Sequence, residues 1–205
     1  FIFRPLPRLA QASPGFGVVL TEVNGDAHAD LFIVQNFFGS QPEVGNFDGG
    51  VGLLLRGDGD CHFTPVWPDE SGLVIPGDAK ALTTTDLDGD AWPDFVVAIN
   101  DGPLQAFRHQ GMSTNRILRL RLQAGSGNPT AVGARVTLQL EDQLPQTAEV
   151  YAGGGYLSQS SSALVFGMGR SGKSAKLSVV WPDGTTTTRT VGENERSITI
   201  KKSSR

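Results

Sequence analysis

From Arg116 to Leu122 charged and apolar residues nearly alternate, with Leu118, Leu120 and Leu122 on one side and Arg119 and Arg121 on the other. A period of two is the mark of a β-strand with one buried face. The same pattern recurs at Val136, Leu138 and Leu140, at Leu177, Val179 and Trp181, and at Ile198 and Ile200. Shorter strands are predicted near Ala148–Tyr151, Ala163–Phe166 and Thr185–Val191. Roughly seven strands in so short a segment predict a sandwich or compact barrel. Pro182-Asp183-Gly184 supplies turn chemistry between two of them, since proline fixes φ and glycine accepts a left-handed backbone. The arginines between the leucines read as the wet face of a strand. No aromatic residues are interleaved with them for base stacking, which argues against nucleic acid as a partner.

The first half is organised differently. Phe16–Val34 and Lys80–Ala98 align at an offset of 64 residues. Each copy reads as a strand, a short acidic loop with a glycine, and a second apolar strand, ending at Asn36 or Asn100. A hairpin repeated at this interval predicts successive propeller blades or layers of a sheet array.

The loops carry the chemistry. Asp86, Asp88, Asp90 and Asp94 stand at positions 1, 3, 5 and 9 of one nine-residue stretch, with Trp92 at position 7 and Gly89 at position 4. Four carboxylates so close repel one another unless a cation sits among them. Oxygen donors at alternate positions suit Ca²⁺, which takes six to eight oxygens at about 2.3–2.6 Å. The Trp92 carbonyl is a natural further ligand. An EF-hand is excluded, because that loop needs glycine at position 6 and a bidentate glutamate at position 12, where Val97 stands. The first loop has Glu22, Asn24, Asp26, His28 and Asp30 at the same positions, and a weaker or vacant second site is expected there. Asp, Asn and Gly also form ordinary hairpin turns. Two loops with matching register favour metal binding over that plainer reading.

Charge sharpens the division. Residues 1–114 carry 5 basic and 15 acidic side chains, whereas 115–205 carry 12 and 6, and a domain boundary is predicted near residue 114. Seven of the 21 acids lie in the two loops, so bound calcium would neutralise most of the net charge of −4. Glycine and proline are frequent, at 26 and 12 residues, and punctuate the strand patterns of an all-β chain. No apolar run reaches the roughly 20 residues of a membrane-spanning helix. The single cysteine, Cys61, rules out an internal disulfide. The start at Phe1, without a basic-then-apolar leader, is that expected of a mature or excised fragment.

The repeat resembles the FG-GAP or VCBS unit of integrin-α-type propellers. Phe16-Gly17 matches the name-giving dipeptide, the acidic loops match the Asp-x-Asp/Asn-Gly-Asp-x-x-x-Asp pattern, and Leu53–Val66 is similar to the unit's outer hairpin, with Gly59 in its turn. Glu22 departs from the usual aspartate, and Lys80-Ala81 stands where a second Phe-Gly belongs. Two copies cannot close a ring, so the resemblance implies either the last blades of a larger propeller or repeats that pack on the second domain. The C-terminal half resembles the ASPIC/UnbV domain of bacterial exported proteins and the cartilage acidic protein family. It does so through Gly133-Ala134-Arg135-Val136, Gly153–Ser160, Phe166-Gly167-Met168-Gly169 and Trp181-Pro182-Asp183-Gly184. The implied fold is all-β: propeller-like hairpins over 1–114, then a sandwich or barrel over 115–205.

Other motifs carry less. Gly167–Ser174 fits the phosphate-loop pattern, but a strand follows where a helix is required. Arg56-Gly57-Asp58 matches an integrin-recognition tripeptide and equally a hairpin tip. His28 sits as a pendant group in the first loop, and His62 and His109 have no partner visible along the chain. No serine elbow or H-E-x-x-H is present. The reading is a non-catalytic, calcium-stabilised interaction or adhesion module, extracellular, periplasmic or on the cell surface, with a protein or glycan ligand. The alternative is an accessory part of an extracellular, carbohydrate-active enzyme.

Overall fold

The structure, a computed structural model, describes residues 1–141, 143–170 and 174–203. It is nearly all β. Strands β1 (Gly15–Thr21), β2 (Asp30–Gln35), β3 (Leu53–Gly57) and β4 (Phe63–Val66) form one antiparallel sheet in that order. A short helix α1 (Pro68–Ser71) leads on to β5 (Ala79–Thr85), β6 (Asp94–Ile99) and β7 (Gln105–Phe107), which form a second sheet. The repeat is therefore real as structure: β1-β2 and β5-β6 are equivalent hairpins, each closed by its acidic loop.

The two sheets pack face to face. Phe32, Val34, Leu54, Leu82, Phe95 and Val97 form one buried cluster between them. Strand β2 is buried along its whole length, because its other face (Leu31, Ile33) packs with Leu53 and Leu55 under Leu6 and Ala10 of the N-terminal segment. That double burial explains its unbroken apolar run. Gly17 lets β1 approach β5, since a Cβ there would lie 2.8 Å from the Cβ of Leu82. Lys80, which replaces the second Phe-Gly, lies 3.6 Å from the centroid of the Phe16 ring. It pairs with the buried Asp78, so one repeat covers the other's signature aromatic.

The C-terminal residues supply β8 (Arg116–Gln123), β9 (Arg135–Gln139), β10 (Gln146–Glu149), β11 (Leu164–Gly169), β12 (Ala175–Val180), β13 (Thr186–Val191) and β14 (Ser197–Lys201). These make two open sheets, β10-β9-β12-β13 and β11-β8-β14, with β14 parallel to β8 and the other pairs antiparallel. Leu118, Leu138, Phe166, Leu177, Trp181 and Ile200 belong to a single core drawn from this half. The result is a sandwich, not a closed barrel. The phosphate-loop pattern is split between the end of β11 and the start of β12, and its residues 171–173 lie outside the described residues.

One expectation is corrected. Arg119 is not on a wet face: it is only 7% exposed. The outer side of β8 is covered at its start, where Ile117 packs with Ala91 and Trp92 of the second acidic loop and with Val165. Ile117, an apolar residue on the supposedly polar face, was the signal for this.

The halves are joined by hydrogen bonds as well as by packing. The Thr84 N–H donates to Ser160 Oγ, Ser161 N–H donates to the Thr84 carbonyl, and Ser158 Oγ donates to the Leu82 carbonyl. The segment after Gly153–Gly155 thus lies along the open edge of β5, satisfying backbone groups that an edge strand leaves unpaired.

Candidate metal centre

The two acidic loops share four hydrogen bonds between backbone N–H groups and side-chain oxygens. In the first, Gly25 N–H donates to Glu22, Asp26 N–H to Asn24 Oδ1, His28 N–H to Asp26 Oδ1, and Val23 N–H to Asp30 Oδ2. In the second, Gly89 N–H donates to Asp86, Asp90 N–H to Asp88, Trp92 N–H to Asp90, and Leu87 N–H to Asp94 Oδ2. The remaining oxygen of each last aspartate receives one more backbone N–H, from Gly57 at 3.0 Å and from His109 at 2.7 Å. Both loops also hold a left-handed glycine and, two residues on, a left-handed alanine: Gly25 and Ala27, Gly89 and Ala91. A non-glycine residue in that region is uncommon, so the shared strain identifies one loop fold used twice.

In the second loop three carboxylates converge. Carboxylate oxygens of Asp86, Asp88 and Asp94 all lie within 4.8 Å of one another. Oxygens bound to a common hard cation at about 2.3–2.6 Å stand at most about 5 Å apart, so these three fit one ion. Asp90 is not in this group. Burial raises its pKa, against the bond from Trp92 N–H, and the neighbouring aspartates add to the rise. The Trp92 ring stacks on His109 with centroids 4.5 Å apart. His109 Nδ1 faces the Gly111 N–H as acceptor, so Nε2 carries the proton and donates to the Val23 carbonyl at 2.9 Å. His109 thereby ties the second loop to the first, a role with no trace along the sequence.

Two arginines approach the second loop. Arg119 Nη1 lies 3.2 Å from Asp86 Oδ2, and both side chains are under a tenth exposed. Arg108 Nη1 lies 3.2 Å from Asp88 Oδ2 but is 58% exposed. Arg119 Nη2 is buried and has no hydrogen-bond partner among the described residues.

The first loop closes on itself instead. Glu22, one methylene longer than Asp86, sends its second oxygen to the Ala27 N–H at 2.8 Å. The Asn24 side-chain amide donates to Asp26. His28 turns away, its ring lying against Gly59 of the β3–β4 turn. Burial, with Asp30 and Asp26 nearby, raises the Glu22 pKa to about 8, and burial raises that of Asp30 to about 6. The C-terminal half seals this loop: Gly169 N–H donates to the Gly25 carbonyl at 2.8 Å, and a Cβ on Gly167 would collide with Ala27 N and Glu22 Oε2.

The remaining motifs are built into the scaffold. Arg56 pairs with Glu70, Gly57 donates to Asp30, and Asp58 accepts from Asp60 and His62 of its own turn. A cleft of about 1350 Å³ opens between the halves, with Leu20, His28, Asp60, Gln146, Tyr151 and Ser162 among its walls. No helix among the described residues is long and apolar enough to cross a membrane.

With this geometry in hand, residues 124–205 match the family model described as ASPIC and UnbV. The chain is also similar to cartilage acidic protein 1 of Xenopus tropicalis. The identity is 31% over an alignment of 130 residues, which covers 58% of this chain and 20% of that protein. The chain thus spans a fifth of the length of this relative. Both acidic loops lie outside the residues matched by the family model, whereas Gly167 and Ser158–Ser161, which hold the loops and the edge of β5, lie inside them.

Proposed function

We propose that this chain is a non-catalytic, calcium-stabilised β-rich module that binds a protein or glycan outside the cytoplasm, the repeats being FG-GAP/VCBS-type units docked on an ASPIC/UnbV-type sandwich. The observation that carries the metal reading is the convergence of Asp86, Asp88 and Asp94, on a loop scaffold shared with the first repeat. All donors are oxygens, which suits calcium. Asp86, Asp88 and Asp94 would hold the ion, and it would supply charge neutralisation and rigidity to the β5–β6 turn. The residues themselves already fix the geometry, because the backbone N–H groups of Gly89, Asp90 and Leu87 orient these three carboxylates. An exported location follows the likeness to cartilage acidic protein 1 and gives modest-affinity calcium sites the millimolar ion they need.

Calcium in this position does no chemistry. Asp86 and Asp88 also face arginines, and His109 is committed to Gly111 and Val23, which leaves Asp90 as the one acidic side chain of the loop outside the converging group. The accessory-enzyme reading draws support from the cleft between the halves, which Glu22 lines. Against it, Glu22 is 4% exposed and its oxygens are taken up by backbone N–H groups.

The test is thermal melting in calcium and in chelator. Calcium at 100 times its Kd adds about 2.7 kcal/mol, which raises the Tm by about 5–10 °C for a chain of this size. An unchanged Tm overturns the calcium reading. Turnover of glycosides or esters that disappears in Glu22→Gln with the fold intact would instead establish the enzyme.

A further inference from the structure

The second acidic loop is completed by a charge from the other half of the chain. Arg119 stands on β8, with its Nη1 3.2 Å from Asp86 Oδ2 and its side chain 8% exposed. A buried guanidinium is costly, the more so with Nη2 unpartnered. What offsets that cost here is the carboxylate cluster. The three converging carboxylates of Asp86, Asp88 and Asp94 against the buried Arg119 leave a deficit of two charges, the charge of a divalent ion. Of the two arginines, Arg108 is mostly in water, which screens it, while Arg119 acts through the protein interior, where a unit charge is felt several times more strongly. The first loop has no buried arginine of this kind: among the described residues no ion pair reaches Glu22, Asp26 or Asp30, and Arg56, whose charge acts on Asp30, is half-exposed and paired with Glu70.

We propose that Arg119 is the specificity-determining residue of the loop, a fixed counter-charge from the sandwich that sets the deficit at two and so matches the site to a divalent ion over a trivalent one. This rests on the ion-binding reading above. A second consequence is that the site is complete only when the two halves are docked, since Arg119 stands on β8, whose leucines belong to one core, and the aspartates on the loop between β5 and β6, whose apolar residues belong to another.

The experiment uses the full chain with Ca²⁺ and Tb³⁺, ions of similar size and different charge. Trp92, within the loop, sensitises terbium luminescence, and calcium is read by competition. In Arg119→Gln the ratio of Tb³⁺ to Ca²⁺ affinity is expected to rise at least about tenfold, or 1.4 kcal/mol. In Arg119→Lys, which keeps the charge, and in Arg108→Gln, where water screens the lost charge, it stays within about threefold of the wild-type ratio. Binding of both ions with the same ratio in Arg119→Gln overturns the proposal and leaves the calcium site standing. Absence of binding by either ion to the wild-type chain overturns both. Collapse of Arg119→Gln with saturating ion present also overturns it, because an ion filling the deficit should replace what the guanidinium supplied.

Discussion

In the first acidic loop a glutamate reaches across to the Ala27 N–H, while in the second an aspartate, one methylene shorter, stops at the Gly89 N–H and turns its other oxygen to Arg119. Four matched hydrogen bonds and the left-handed glycines and alanines are common to both. The loops therefore separate scaffold from site. The matched hydrogen bonds make the turn, and they do so whether or not the carboxylates converge. The loops differ at position 1, at position 3, where Asn24 stands for Asp88, and in what the sandwich sets against them: backbone and Gly167 for the first loop, a guanidinium for the second.

The largest expected effect tests whether the scaffold really is common to both. Asp94→Ala removes the acceptor of the Leu87 and His109 N–H groups, and Asp30→Ala that of Val23 and Gly57. Each should lower stability in chelator by about 2–3 kcal/mol, measured by urea unfolding, because the lost bonds are charge-assisted. Only Asp94→Ala should also lose calcium binding by calorimetry. Equal loss of binding in both variants would show that the two loops do not differ in the way described.

The next effect is a loss of stability as pH rises from 4.5 to about 8. The Glu22 carboxyl is pushed from 4.5 to about 8 in the folded chain, so between those values the folded state holds a proton that the unfolded state has released. Stability from this source is complete below pH 4.5 and is lost as pH rises through 8. The wild-type chain in chelator should lose stability between pH 4.5 and about 8, whereas Glu22→Gln should lose markedly less. Parallel pH profiles would mean that the first loop is not the strained one.

The smallest effect concerns the link between the loops. His109→Ala deletes the bond to the Val23 carbonyl and the stack on Trp92, and should cost about 1–2 kcal/mol. Calcium affinity should change by less than about threefold, since the Asp94 bond comes from the His109 backbone and survives the substitution. A tenfold weakening would show that the first loop, through this ring, takes part in ion binding.

Much of this architecture was legible along the chain for definite reasons. Period-two alternation needs only that one face of a strand be buried, and it located β8, β9, β12 and β14. The offset of 64 residues located two hairpins, and glycine at position 4 with aspartates around it located their loops, because turn chemistry is local. Local chemistry also brought the same candidate ligands into both loops. It also marked the first as the weaker, with Glu22 for Asp86 and Asn24 for Asp88, whereas the convergence of the Asp86, Asp88 and Asp94 oxygens is a property of the folded loop.

What tertiary structure alone decided is where the second half meets the first. Alternation assigns Arg119 to the face opposite Leu118 and Leu120, yet whether that face meets water or Asp86 depends on a contact between residues 33 positions apart. His109 reaches Val23 across 86 positions. Gly167 is needed because the sandwich lies so close to the first loop that a Cβ would overlap Ala27. Pairing of this kind is set by how two finished cores dock, and docking leaves no period in either sequence. The residues that distinguish the two loops, Arg119 and Gly167, were therefore visible as residues and legible as neighbours only in the folded chain.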